Sequence, residues 1–276
     1  MKDQAKYLEE YKKIDAKKSL GQNFLTSEAV VENMVKYADI TRADTILEIG
    51  PGLGILSRAL VASPADTILL CEKDEKLAEK LKQEITNKRA KIITQDALTL
   101  IPQLQVSAPF KVVSNLPYNI SSPVITSLLT MSPTLPSKII VMLQKEVAER
   151  YQTKPGSRNR GIITVLVEAY GQAKIIDQVS RENFYPSPNV DSAVLMIDDI
   201  KDPQVDVRKL LKILKLSFAG KRKKLKNSVI STLKFTKDEM FAIEKKTKID
   251  LDQRPEDLTV DQWIALLSEV QSLRPF

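Results

Sequence analysis

The chain has 276 residues, of which 43% are hydrophobic and 28% are charged, a composition typical of a folded globular protein. No stretch approaches the roughly 18 apolar residues of a membrane span, and the Lys- and Glu-rich N-terminus lacks an apolar signal segment, so we expect a cytoplasmic protein without a membrane anchor. The sequence has no histidine and one cysteine, Cys71. This excludes an internal disulfide, a metal site built on Cys clusters or His, and Ser-His or Cys-His catalysis.

The excess positive charge lies in the last quarter of the chain. The formal charge is +7 overall, and residues 201–276 hold 17 Lys and Arg against 11 Asp and Glu. Between Val207 and Lys237 there are 11 basic residues and no acidic one. A mixed-sign run is usually a solvated helix face, but an all-positive run repels itself until an anion neutralises it. Nucleic acid is the commonest such partner, so this region predicts RNA or DNA binding.

In chain order, a basic leader (residues 1–24) precedes a helix predicted to begin at Thr26 or Ser27 and to run through Tyr37. Short apolar runs then alternate with amphipathic stretches such as Ile55–Ala62 and Glu75–Ile85. This alternation predicts an α/β fold with a doubly wound, mainly parallel, Rossmann-like sheet. The predicted strands are Thr45–Ile49, Thr67–Cys71, Lys91–Thr94, Lys111–Ser114, Ile139–Leu143, Ile162–Val167 and Ala193–Ile197. Shorter spacers between the later strands favour an antiparallel final pair.

The composition changes at the linker DDIKDP, residues 198–203. Beyond it, apolar residues from Val207 to Phe218 recur at helical spacing, and further helices are predicted from about Lys223 and over Val260–Leu273. We therefore expect an α/β domain over residues 1–200 and a small, basic, helical domain over residues 201–276.

A glycine-rich turn, EIGPGLG at residues 48–54, follows the first predicted strand and opens a helix. Three of the eight glycines lie here, where a missing Cβ permits positive φ and close approach of a ligand. The dinucleotide fingerprint G-x-G-x-x-G would place its third glycine at Ile55. The spacing found, E-x-G-x-G-x-G, is instead typical of S-adenosylmethionine-dependent methyltransferases, with a plain tight turn as the alternative.

Two carboxylates follow the next strands. Glu72 ends the second predicted strand, 22 residues after Gly50, where an acid can accept both hydroxyls of a ribose. Asp96 follows the third strand, in a position to accept the amino group of adenine. Either acid alone is more often a surface charge or a helix cap. Three successive strand ends bearing ligand-competent groups nevertheless predict a site, because open α/β sheets bind ligands at that edge.

The tetrapeptide NLPY, residues 115–118, follows the fourth strand and is either an ordinary turn or a catalytic segment. The amino nitrogen of adenine is a poor nucleophile because its lone pair is delocalised into the ring. The Asn115 side-chain oxygen and the Leu116 backbone carbonyl would each accept one N–H and direct the lone pair at a methyl group. Tyr118 would stack on the flipped base and favour the cationic transition state. Neither role requires histidine.

With these residues the sequence resembles the KsgA family, the adenine N6,N6-dimethyltransferases of small-subunit ribosomal RNA, from Lys17 almost to the C-terminus. The resemblance rests on eight segments in order: LGQNFL (20–25), EIGPGLG (48–54), NLPYNIS (115–121), LQKEVA (143–148), KPGS (154–157), FYPSPNVDS (184–192), KRKKLKNS (221–228) and RPEDL (254–258). It implies transfer of two methyl groups from S-adenosylmethionine to each of two adjacent adenosines near the 3′ end of 16S RNA, without a metal. It also implies a monomer that binds the immature small ribosomal subunit and takes part in its biogenesis.

The resemblance assigns the cofactor contacts at matching positions. Asn23 and Leu25 would close over the methionine end of S-adenosylmethionine, and Gly50 would pass under it. Glu72 would hold the ribose and Asp96 the adenine.

The same resemblance assigns the RNA side. Asn115 would contact both the cofactor and the target amino group. Phe184 would stack on the target base opposite Tyr118, with a core aromatic as the alternative. Lys154 lies in the loop expected at the RNA entrance. The remaining basic residues expected to bind RNA are Lys221, Arg222, Lys223 and Lys224.

The sequence departs from the family pattern in two places. Arg160 stands where relatives usually carry an aromatic residue, and Thr164 stands where Ser is usual. Gly220 and Lys221 replace a pair such as Gln-Arg. These departures affect the expected loop and phosphate contacts and leave the expected activity unchanged.

Three other functions are compatible with parts of the pattern. A large-subunit adenine methyltransferase of the erythromycin-resistance type shares the core, but the KPGS and FYPSP segments favour the small-subunit type. A ribosome-assembly or transcription factor built on an inactive methyltransferase should have lost residues such as Glu72, Asp96, Asn115 or Tyr118, and all four are present. The glycine spacing and the lack of a histidine acid argue against a nicotinamide dehydrogenase.

Overall fold

The structure is a computed structural model that describes Tyr11 and residues 22–106, 109–220 and 223–274. Its strands are β1 (Phe24–Leu25), β2 (Thr45–Ile49), β3 (Thr67–Glu72), β4 (Ala90–Thr94), β5 (Phe110–Asn115), β6 (Lys138–Gln144), β7 (Gln172–Val179), β8 (Phe184–Tyr185) and β9 (Ser192–Asp198). Its α-helices are α1 (Glu28–Ala38), α2 (Ile55–Ala62), α3 (Glu75–Glu84), α4 (Ala97–Leu100), α5 (Ser121–Thr130), α6 (Lys145–Tyr151), α7 (Ile162–Tyr170), α8 (Val207–Phe218), α9 (Val229–Thr232), α10 (Lys237–Thr247) and α11 (Val260–Leu273).

Seven of these strands form one sheet in the order β4-β3-β2-β5-β6-β9-β7. The pairs from β4 to β6 are parallel, and β9 is antiparallel to both β6 and β7. Buried apolar runs such as TILEI in β2 and KIIVMLQ in β6 suit strands covered on both faces. The predicted α/β class and the mainly parallel sheet are confirmed. The last predicted strand is antiparallel as expected, but its partners are β6 and β7, because the other member of the predicted final pair, Ile162–Val167, is helical.

The strand order reverses between β2 and β5, since β3 and β4 lie on one side and β6 on the other. A crevice opens at such a switch point, at the carboxyl ends of the strands, and it is where open α/β sheets bind ligands. The segments that leave β2 and β5 there are the glycine-rich turn and NLPY. A separate pair, β1 and β8, places Leu25 opposite Phe184 in antiparallel register.

One predicted strand is wrong. Residues 162–167 belong to helix α7, whose buried residues include Val165, Leu166 and Val167. A short, β-branched apolar run cannot be distinguished from a buried helix by its periodicity, and packing decides between the two. Strand β7 was not predicted, because a register shift between Ile175 and Asp177 interrupts its alternation.

The chain divides into two compact units, and the predicted boundary needs a correction. Of the described residues, one unit holds those up to Glu149 together with Gly171–Lys201, and the other holds Arg150–Tyr170 together with those from Asp202 onward. Residues 150–170, which we expected in the α/β domain, belong to the helical unit because Val165 of α7 lies in the same buried cluster as Leu210, Trp263 and other residues of the C-terminal helices.

Three helices of the helical unit, α8, α10 and α11, begin with side-chain caps. Asp206 accepts the Lys209 N–H at the start of α8, and Thr236 and Thr259 form capping boxes at α10 and α11. The helix predicted from Lys223 is instead a 3₁₀ turn followed by the short α9, and α10 was not predicted. Among the described residues, no helix has the length and apolarity to cross a membrane.

Candidate active site

The turn after β2 has the backbone that its glycines permit. Gly50, Gly52 and Gly54 have φ values of 70°, 57° and 78°, a region that residues with a Cβ rarely occupy. A Cβ on Gly50 would lie 3.1 Å from Cδ of Pro117. The glycine at this position therefore lets the turn pack directly against the NLPY segment.

A second contact joins the ends of β2 and β5. The Ser114 hydroxyl donates to the backbone carbonyl of Ile49, and the Ile49 N–H donates back to the Ser114 oxygen at 3.3 Å. Asn115, one residue further, donates from Nδ2 to the backbone carbonyl of Asn23 at 3.5 Å. Because the amide nitrogen is the donor here, the Asn115 carbonyl oxygen keeps its capacity to accept an N–H.

Glu72 is held by two backbone amides. Its Oε2 accepts the Gly52 N–H at 3.0 Å, and its Oε1 accepts the Asp74 N–H at 2.9 Å. Burial raises the pKa of this carboxyl, while the N–H groups of Asp74 and Gly52 lower it. Each carboxylate oxygen can accept more than one hydrogen bond, so both remain able to bind a diol.

Asp96 is a helix cap at the edge of the cleft. Its Oδ1 caps α4 by accepting the Leu98 N–H at 2.9 Å, and its Oδ2 pairs with Lys73 Nζ at 2.8 Å. The hydrogen bond from Lys73 lowers the pKa of Asp96, so the acid is an anion at neutral pH. Asp96 is therefore a helix cap that also lines the cleft.

The hydroxyl of Tyr118 is held by a hydrogen bond. Its hydroxyl lies 2.7 Å from Oγ of Ser192, at the start of β9. Burial raises the pKa of Tyr118, and the Ser192 hydrogen bond opposes part of that rise. The phenol is therefore neutral in the physiological range.

A single cleft of about 1090 Å³, its open mouth included, joins these groups. Eight of the residues predicted for cofactor binding or catalysis line it: Asn23, Leu25, Gly50, Glu72, Asp96, Asn115, Leu116 and Tyr118. They come from segments far apart in the chain, and the switch point between β2 and β5 brings them together.

Phe184 does not lie where we expected it. The residue is 3% exposed, belongs to the buried cluster that includes Tyr11 and Phe24, and is not part of the cleft lining. The pairing of β8 with β1 buries it, so in this structure its ring offers no open face to a base. Its observed position is that of a core aromatic residue, the alternative given in the sequence analysis.

The predicted RNA-binding lysines that the structure describes all lie in the helical unit. Lys154, Lys223 and Lys224 are exposed, and Lys224 Nζ contacts Oδ1 of Asp252 at 2.7 Å. Lys226, which we did not single out, contacts the same oxygen at 2.6 Å. Lys221 and Arg222 lie outside the described residues.

Arg160 is buried. Its guanidinium donates to both carboxylate oxygens of Glu168, at 2.7 and 2.5 Å, and to the backbone carbonyl of Thr153 at 2.9 Å. This departure from the family pattern is therefore an internal ion pair of the helical unit.

Glu48, an acid within the apolar strand β2, was not predicted to have a role in the site. Glu48 lines the cleft, is 2% exposed, and its Oε2 has no hydrogen-bond partner among the described residues. Burial raises its pKa to about 8. An ionisable residue inside an apolar strand was the signal in the sequence that could have identified it.

The groups in the cleft fit S-adenosylmethionine. Glu72 supplies the acceptors that a ribose diol requires, and the glycine turn has no Cβ atoms to block a ligand. An unpaired buried oxygen on Glu48 adds a polar contact point at the cleft wall. The described residues contain no group of three or more Cys, Asp or Glu side chains arranged to hold a metal ion.

Comparison with known proteins identifies the same family that the sequence motifs resemble. The family model described as ribosomal RNA adenine dimethylase matches residues 13–272. The ribosomal RNA small subunit methyltransferase A of Lactobacillus helveticus is 35% identical over 273 residues, which cover 93% of this chain and 92% of the relative.

Two solved structures share the fold. A dimethyladenosine transferase from Plasmodium falciparum has a TM-score of 0.78 at 23% identity, covering 90% of this chain and 98% of that one. The 23S rRNA methyltransferase ErmE has a TM-score of 0.67, also at 23% identity, covering 90% of this chain and all of that one. Since the family match spans nearly the whole chain, the protein belongs to the ribosomal RNA adenine dimethylases, enzymes that use S-adenosylmethionine to dimethylate adenine in RNA.

Proposed function

We propose that this protein dimethylates N6 of two adjacent adenosines near the 3′ end of small-subunit ribosomal RNA, within an immature subunit. The observation that carries the proposal is the single cleft in which Glu72 and Asp96 adjoin the Asn115–Tyr118 segment. The name of the relative from Lactobacillus helveticus supports the small subunit as the source of the RNA.

Different residues contact different parts of S-adenosylmethionine. Glu72 binds the ribose hydroxyls, Asp96 accepts the adenine amino group, and Asn23, Leu25 and Gly50 surround the methionine end. When bound, S-adenosylmethionine supplies an electrophilic methyl group. The protein contributes position and a fixed electrostatic environment.

The target adenine must leave its stack to reach the cleft. The Asn115 side-chain oxygen and the Leu116 carbonyl accept its two amino hydrogens, which directs the nitrogen lone pair away from the ring. Tyr118 stacks on the base and stabilises the positive charge that develops on it. The product ammonium is acidic enough to release its proton to water, so no residue acts as a general base.

The helical unit supplies the electrostatic contact with RNA. Lys154, Lys223 and Lys224 are exposed, and with Lys221 and Arg222 they would contact phosphates. We propose that the enzyme acts as a monomer in the cytoplasm, where immature subunits are found.

The decisive experiment supplies labelled S-adenosylmethionine and unmethylated small subunits, followed by nucleoside analysis of the RNA. We expect label in N6,N6-dimethyladenosine, its loss in Asn115→Ala, and its retention in the control Asn87→Ala, which changes an exposed turn residue. Label only in large-subunit RNA would contradict the proposed substrate. Salt-sensitive binding of subunits without any label would contradict catalysis on them.

A further inference from the structure

The hydrogen bond between Tyr118 and Ser192 connects two segments that lie 74 residues apart in the chain. Ser192 is fully buried. It is the first residue of β9 and pairs with Gln144 of β6 and Val179 of β7. The phenol hydroxyl is therefore hydrogen-bonded to a residue whose backbone is paired with both β6 and β7.

The main chain of Tyr118 is fixed as well. Its carbonyl accepts the Ser121 hydroxyl at 3.1 Å, and the preceding Pro117 packs against Gly50. With the backbone held at one end and the hydroxyl at the other, the ring has little freedom about its side-chain torsions.

Stacking on a base requires only an aromatic face, which phenylalanine would also provide. The hydroxyl adds a polar group to a largely buried ring, and such a group is unfavourable unless it is hydrogen-bonded. Its partner at 2.7 Å is a single serine oxygen. The pair thus restrains the ring in a way that a phenylalanine could not.

We infer that Ser192 is a positioning residue, whose hydroxyl holds the Tyr118 ring at the angle at which the target adenine stacks on it. The inference rests on the proposed function, because it takes adenine as the group that Tyr118 receives. Ser192 itself, being fully buried, acts only through Tyr118.

A double-mutant cycle tests this inference. Ser192→Ala and Tyr118→Phe remove the same hydrogen bond from opposite ends, so each should lower the single-turnover rate about three- to tenfold. The double variant should be no slower than either single variant, because only one interaction is lost. Ser192→Thr keeps the hydroxyl and should restore most of the rate. Ser187→Ala, in the same segment, is the control, since its exposed hydroxyl donates to the backbone carbonyl of Arg181 at 3.0 Å.

Two readouts separate positioning from a structural role. Replacing the target adenosine by 2-aminopurine reports stacking through fluorescence quenching, which should weaken in Ser192→Ala and Tyr118→Phe at saturating protein. Ring-flip rates of Tyr118, measured by NMR without RNA, should rise in Ser192→Ala. The NMR readout is independent of the substrate, so a wild-type protein inactive on small subunits would contradict the proposed function and leave this test in place.

Several outcomes would overturn the inference. One is multiplicative losses in the double variant, which would mean that Ser192 acts independently of Tyr118. Another is an unchanged ring-flip rate in Ser192→Ala. If Ser192→Ala does not fold, Tyr118→Phe removes the bond without altering β9, and full activity with normal quenching in that variant would also refute the inference.

Discussion

The carboxylate of Glu72 accepts the backbone N–H of Gly52 at 3.0 Å, so the acid at the end of β3 fixes the glycine turn that follows β2. Its other oxygen accepts the Asp74 N–H at 2.9 Å. One side chain thus shapes the loop and presents acceptors to the cleft. Cofactor affinity and local stability are therefore linked at this residue.

We expect Glu72→Gln to weaken S-adenosylmethionine binding about 10- to 100-fold, because hydrogen bonds to a charged acceptor are replaced by weaker ones. The amide NH₂ would also face a backbone N–H, leaving a buried donor unpaired and lowering the free energy of unfolding by about 1–3 kcal/mol. Calorimetric titration and urea denaturation measure the two effects. Glu79→Gln, exposed on α3, is the matched control and should change neither quantity. An unchanged dissociation constant in Glu72→Gln would exclude Glu72 from cofactor binding.

Glu48 should make stability depend on pH. Burial raises the pKa of Glu48 in the folded protein to about 8, against 4.5 for an exposed glutamate. Between these values the native state holds a proton that the unfolded state has released, so stability falls as pH rises through the interval. The slope for one such group reaches about 1.4 kcal/mol per pH unit.

Glu48→Gln removes this dependence. The difference between its free energy of unfolding and that of the wild type should therefore shift in favour of the variant from pH 5 to pH 8. Urea denaturation at several pH values, without cofactor, provides the measurement. Parallel curves for the two proteins would show that Glu48 ionises as an ordinary exposed carboxyl does.

Arg160 should matter for stability and not for RNA binding. Its side chain is fully buried and its partner Glu168 is 32% exposed, so we expect Arg160→Ala to destabilise the protein by about 2–3 kcal/mol, less than for a wholly buried pair. The exposed neighbour Arg158 is the control, and its replacement by Ala should change stability by less than about 0.5 kcal/mol. Thermal and urea unfolding distinguish the two variants. The assignment would fail if Arg160→Ala kept its stability and lost RNA affinity.

Lys224 should contribute to the salt dependence of RNA binding. Together with Lys226 it pairs with Asp252, and these hydrogen bonds lower the pKa of that acid. If a phosphate competes for Lys224, Lys224→Gln should reduce the slope of log affinity against log salt by about 1. Asp252→Asn, which releases both lysines, should strengthen binding at low salt. Lys88→Gln, exposed before β4, should leave the slope unchanged, and an equal effect at Lys88 would show that only net charge matters.

Much of the fold was predictable because its signals are local. The buried central strands appear as short, mainly apolar runs, and Thr45–Ile49 and Ile55–Ala62 were predicted with the observed bounds. The cleft residues were predictable for a related reason. They follow strand ends, and parallel strands bring their carboxyl ends to one edge of the sheet.

The failures concern relationships that only packing determines. The run at residues 162–167 became helical because α7 packs with the C-terminal helices. Phe184 is buried because β8 pairs with β1, a contact of two residues each that no periodicity could reveal. The bond from Tyr118 to Ser192 crosses 74 residues without a local pattern.

The helical unit is assembled from two separate stretches of chain, Arg150–Tyr170 and the region from Asp202 onward. Exchange of the helical unit between related enzymes, in the laboratory or in evolution, therefore requires two crossovers within the sheet-forming chain as well as one near residue 201. A transplant of the C-terminal segment alone would separate Val165 from Leu210 and Trp263, its neighbours in the buried cluster. We expect such hybrids to be soluble when α7 and the C-terminal helices come from the same enzyme.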